Sequence, residues 1–121
     1  MADDNGVEIW LEVHGSGTSN PAHIRTIMEV CGHPKVGACW NSNLTEVKDG
    51  SIKEPFTLLS KWLLSCHIND LFNQYPWREL FNLMRLMQYD RFTLAEMGKA
   101  DDSDPVGTLK KYRQKWVELT S

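Results

Sequence analysis

The sequence predicts an α/β fold of four consecutive βα units, half the number that closes a (β/α)8 barrel. Three observations carry this. Four short apolar runs alternate with four segments of helical period. Cap signals of Asn, Asp, Pro and Gly stand between them. The residues ending the runs, Glu12, Asn41, His67 and Glu96, recur at separations of 29, 26 and 29 residues. Such a spacing suits one βα unit, eight of which make a barrel of about 250 residues.

The first run, residues 7–13, ends at Gly15, Ser16 and Gly17. Asn20-Pro21 then supplies an N-cap and a proline for the first helical position. Ile24, Ile27, Met28 and Cys31 follow at helical spacing, and Gly32 stops the helix. The second run is 36–41. After a polar loop through Asp49-Gly50, Pro55 opens a helix carrying Phe56, Leu58 and Leu59. Residues 63–68 form the third run, and Pro76 precedes a helix with an apolar stripe of Leu80, Phe81, Leu83, Met84 and Met87. The fourth run is 92–97, and Asp104-Pro105 starts a helix towards Trp116 and Leu119. Strands this short, alternating with helices, predict a parallel sheet with right-handed crossovers.

Composition narrows the function. With 121 residues, 41% hydrophobic and 24% charged, the chain suits one small domain with a core. A net charge of -3 argues against a nucleic-acid partner. Lys110, Lys111, Arg113 and Lys115 cluster where a terminal helix would carry a solvated basic face. Cys31, Cys39 and Cys66 make an odd count with no CxxC; Cys39 and Cys66 sit inside apolar strand-like runs, so for these two buried thiols in a reducing, cytoplasmic setting are expected. The polar start, residues 1–6, predicts no signal peptide, and no apolar run is long enough for a membrane-spanning helix.

Side chains alternate along a strand. If Glu12 points inward, Glu8, Trp10 and His14 share its face. Inward His67 brings Ser65 and Leu63, leaving Leu64, Cys66 and Ile68 outward; inward Glu96 brings Leu94 and Phe92. In each of these strands an ionisable residue is the last inward one, on the rim where barrels place their active sites. A carboxylate there is costly unless paired or bound to a cation. Two carboxylates and an imidazole on one rim make a mixed N/O metal site.

The motifs "WLEVHG", "VGACWNSN", "CHIND" and "TLAEM" resemble the last four strand ends of the xylose-isomerase-like TIM barrels. That group includes sugar isomerases, ketose 3-epimerases, inosose dehydratases and endonuclease IV. The resemblance runs from Val7 to Leu119 and implies a partial domain over 1–121, the C-terminal half of a barrel. It implies one divalent ion (Mn2+, Mg2+, Co2+ or Zn2+) held by Glu12, Asn41, His67 and Glu96. Asn41 stands where the family usually has Asp, which weakens the fourth ligand. The implied activity is that of a sugar or sugar-phosphate isomerase or epimerase. Glu12 and Glu96 would move a proton next to a carbonyl through a metal-stabilised enediolate. Leu44 and the absence of Asp-x-His after "HIND" set the multi-metal endonuclease branch aside.

Other residues carry paired readings. His14 is a substrate contact or an orienting group for a carboxylate, and Asn43 is a candidate substrate contact. Trp40 has outward parity and belongs to a core. Asp70 is expected to bond its own loop. Tyr75 and Trp77 either cover a sugar or anchor the next helix. His23 and His33 fall away from the rim. Asp101, Asp102 and Asp104 suit a helix N-terminus.

Four parallel strands leave two edges and one face open. The expectation is therefore a homodimer or a missing N-terminal half. The alternative function is a non-catalytic half-barrel or fragment that retains the fold, or a related metal-dependent dehydratase when completed.

Overall fold

In the computed structural model, residues 1–99, 101 and 103–121 are described, so Asp102 lies outside them. Four strands, β1 (Ile9–Glu12), β2 (Val36–Asn41), β3 (Leu63–Ile68) and β4 (Thr93–Ala95), form one parallel sheet in chain order. The helices are α1 (Pro21–Cys31), α2 (Lys53–Leu59), α3 (Trp77–Leu86) and α4 (Pro105–Thr120). The two central strands match the runs read from the sequence. The edge strands are shorter than 7–13 and 92–97, because each has a ladder partner on one side only.

Local chemistry sets the helix ends. The Asn20 side chain accepts from the Ala22 amide, Pro21 takes the first helical position, and Gly32 closes α1 at φ 57°. Asp104 caps α4 by accepting from the Gly107 amide at 2.8 Å. α2 starts at Lys53, two residues before Pro55, and Glu79 of α3 caps its approach by accepting from Ser51 Oγ and the Ile52 amide.

Right-handed crossovers between sequential neighbours put every helix on the same side of the sheet. Neighbouring helices pack in order along that side. The core therefore lies between sheet and helices, with Val13, Ala38, Trp40, Cys66 and Ile68 meeting Ile24, Phe56, Leu80 and Tyr112. Trp40 packs edge-on to Phe56 and donates to the Tyr75 hydroxyl at 3.0 Å.

Among the described residues the other face carries no second layer. Trp10 and Leu94 are 44% and 42% exposed there, while the smaller Cys39 and Ser65 are buried between taller neighbours. The sheet curls about this face. Arg91, ahead of β4, makes paired bonds of 3.0 and 3.1 Å to the carboxylate of Glu8, ahead of β1.

One parity differs from the sequence reading. Ala38 pairs with Leu63 but Cys39 pairs with Ser65, so Leu64 is an extra residue. Leu63 thus turns into the core beside Ala38, and half-buried Leu64 occupies the space a Gly37 Cβ would need. The α/β class holds, with one open four-stranded parallel sheet. Among the described residues this sheet and its one layer of helices form no closed barrel. Among the described residues no helix is long and apolar enough to cross a membrane.

Candidate metal centre at the strand ends

The register places the site residues on a diagonal. Glu12 is level with Cys39 and Ser65; His67, level with Asn41 and Leu94, stands two residues further along. Glu96 follows β4 two residues beyond Leu94. In a twisted sheet whose strands tilt, such a diagonal brings side chains to one height.

Glu12, His67 and Glu96 converge, each offering one donor atom within 4.8 Å of the others. His67 Nδ1 stands 3.3 Å from Glu12 Oε1 and 3.2 Å from Glu96 Oε2. Donor atoms around a divalent ion at about 2.1 Å stand about 3.0–3.4 Å apart in octahedral or tetrahedral arrangements. Neither contact has the direction of a hydrogen bond, and Nδ1 is buried without a hydrogen-bond partner among the described residues. An orphaned ring nitrogen between two carboxylate oxygens is a donor set that fits a cation.

Asn41 is 2% exposed and fully engaged. Its Nδ2 donates to Glu12 Oε1 at 3.1 Å and lies 2.8 Å from His14 Nδ1, while its Oδ1 accepts from Asn69 Nδ2 at 3.1 Å. It therefore presents nitrogen to the cluster. Coordination through its amide oxygen, expected from the sequence, would require releasing Asn69. His14 is exposed, with Nδ1 as acceptor towards Asn41, which in the neutral ring leaves the hydrogen on Nε2.

The other candidates sort by contact. Asn43 donates to the Val13 carbonyl and to Glu46. Asp70 accepts from the Phe72 amide in its own loop. Tyr75 and Trp77 are buried against each other, and Trp77 stacks on Phe81, so they anchor α3. His23 bonds the Gly17 carbonyl, and His33 lies near Asp3, both outside the cluster. A cleft of about 800 Å3 around α2, lined by Arg25, Lys53, Lys61 and Trp62, contains none of the three converging residues.

Three supporting residues escaped the sequence reading. Asn69 holds Asn41 and the Ser42 carbonyl, and Ser42 Oγ donates to the His67 carbonyl. Tyr112 of α4 places its hydroxyl 2.8 Å from the carbonyls of Ile68 and Asn69. Asn69 had a signal, since it lies two residues beyond His67 and shares its parity. Beneath the cluster, burial pushes the Cys39 thiol pKa up, and the Glu12 and Glu96 carboxylates add to the shift.

No family model matches the chain. No curated protein matches it either. Among solved structures it is similar to the 3-keto-D-glucoside 4-epimerase YcjR of E. coli in its apo form, at a TM-score of 0.73 and 17% identity. The match takes in 98% of this chain and 47% of that one, so the chain spans about half the length of that enzyme. This corrects the expected assignment to the C-terminal half of a xylose-isomerase-like barrel. No family model takes the chain, and a match at 17% identity carries the fold alone.

Proposed function

We propose that the chain carries the metal centre of a sugar isomerase or epimerase, with Glu12, His67 and Glu96 as ligands. The convergence of the three donor atoms on an orphaned imidazole nitrogen supports this most directly. The fold likeness to a sugar epimerase supports the substrate class, a sugar or sugar-like polyol bearing a carbonyl. Two carboxylates and a neutral imidazole balance one 2+ ion, and a mixed N/O set suits Mn2+, Mg2+, Co2+ or Zn2+. Such an ion, when bound, polarises the substrate carbonyl as a Lewis acid.

The chain's own groups do the rest. Glu12 and Glu96 reach the cluster from opposite edges of the sheet, so one removes a proton beside the carbonyl and the other returns it. Asn41 aims the Glu12 carboxylate, and Asn69 locks Asn41. His14 stands beside the cluster as a substrate contact, whereas Asn43, whose amide nitrogen is spent on the Val13 carbonyl and Glu46, supports the end of β1 instead. A second copy of the chain, or further strands, covers the open face.

Two measurements test this. One equivalent of Mn2+ should bind the folded chain and should be lost in His67→Ala. Absence of binding by the unmodified chain sinks the metal reading. Solvent deuterium should enter a keto sugar at the carbon next to the carbonyl, at least tenfold more slowly in Glu12→Gln and Glu96→Gln, as general acid–base catalysis contributes about 10²–10⁴-fold. Unchanged exchange in either folded variant rules out the pair. The half-length match to the epimerase favours a second reading, a binding half without turnover. Mn2+ bound with no exchange in any keto sugar would select it.

A further inference from the structure

Glu46 lies outside the metal cluster, in the 3-10 turn Leu44–Glu46 that follows β2, and is only 4% exposed. Its Oε1 accepts from Asn43 Nδ2 at 2.8 Å. Its Oε2 is buried with no hydrogen-bond partner among the described residues. A buried carboxyl with an idle oxygen costs stability that an apolar side chain of the same size would not. Its one bond is the informative one. An amide NH2 has two hydrogens, and the same Asn43 Nδ2 also donates to the Val13 carbonyl at 2.7 Å. With one hydrogen taken by Glu46, the other is aimed at Val13. Val13 sits between Glu12 and His14, where β1 has already ended.

We propose that Glu46 is a positioning residue for the metal centre: through Asn43 it fixes the Val13 carbonyl, and so the strand end that presents Glu12 and His14. The proposal rests on the metal-site reading above. Burial raises the Glu46 carboxyl pKa to about 8, so near neutrality it is mostly an uncharged acid whose Oε1 still accepts. Glutamine reproduces that acceptor; leucine keeps the bulk and removes it.

The test compares the unmodified chain with Glu46→Gln and Glu46→Leu, by Mn2+ titration and by amide hydrogen exchange. Partners of a ligand typically account for about 10–100-fold in metal affinity. Glu46→Leu should therefore weaken Mn2+ binding about tenfold or more. It should also speed exchange at the Val13 and His14 amides, which bond to the Cys39 and Glu12 carbonyls, and spare the Glu96 amide, which bonds to Ile68. Glu46→Gln should restore both readouts. Retained affinity and protection in Glu46→Leu, or loss of both in Glu46→Gln, overturns the proposal. If the unmodified chain binds no Mn2+, the metal reading fails and the exchange pattern alone decides whether Glu46 holds the strand end. If Glu46→Leu does not fold, Asn43→Ala cuts the same link, with the same outcomes expected.

Discussion

At the scale of residues, buried polar groups carry the information. Asn41 uses its amide nitrogen on Glu12 and His14 and its oxygen on Asn69. Glu46 has a consequence that can be measured without any ligand. Its folded pKa is about 8 against an ordinary value of 4.5. Between those values the folded state keeps a proton that the unfolded state has released, so stability falls as pH rises. The full stability is present below pH 4.5, is lost progressively up to about 8, and then levels off. Tyr75 and Cys66, whose own pKa values are pushed up by burial, stay neutral across that range and do not mask it. Glu46→Gln should flatten the slope and gain about 1–3 kcal/mol at pH 8; denaturant melts at pH 5 and pH 8 check this. An unchanged slope would mean that the carboxyl is not buried as described. Glu12, His67 and Glu96 were legible because strand alternation selects them. Glu46 was not, since a 3-10 turn has no periodicity from which burial can be read.

At the scale of elements, the β2–β3 pair shows how one residue redirects a strand. Leu64 is inserted between Leu63 and Ser65, and the space beside Gly37 receives it. A Cβ at Gly37 would stand 2.5 Å from Leu64 Cδ1 and 2.6 Å from the Trp62 carbonyl oxygen. Gly37→Val should cost about 1–3 kcal/mol by overpacking, read as a lower denaturation midpoint, whereas Gly15→Ala should test only backbone strain at φ 79°. A Gly37→Val chain as stable as the original would show that the register slips freely. Alternation from the sequence placed Ser65 and His67 correctly but put Leu63 on the wrong face. A bulge is set by pairing with a neighbouring strand, so one strand's own pattern does not contain it.

At the scale of the whole molecule, all four helices lie on one side, and the opposite face shows Trp10 and Leu94. The strands at both edges, β1 and β4, carry unpaired backbone groups. Exposed apolar area next to open edges favours association. Light scattering on the purified chain should give a dimer at micromolar concentration, weakened in Leu94→Lys. A well-behaved monomer at that concentration would leave the open face to another segment or partner.

By itself the sequence determined the α/β class, the two central strands, the caps of α1 and α4 and the three residues of the candidate cluster. Each of these follows from local rules: period two in strands, turn chemistry at caps, and a spacing that repeats once per βα unit. The tertiary structure decided what depends on neighbours far along the chain. It set the diagonal that brings donor atoms from the ends of three strands within 4.8 Å, the insertion of Leu64, and the turning of Asn41 so that its nitrogen faces Glu12. It also left one sheet face bare. Register, curl and hydrogen-bond partnership are properties of pairs of strands, and a single strand's sequence specifies only its own half of each pair.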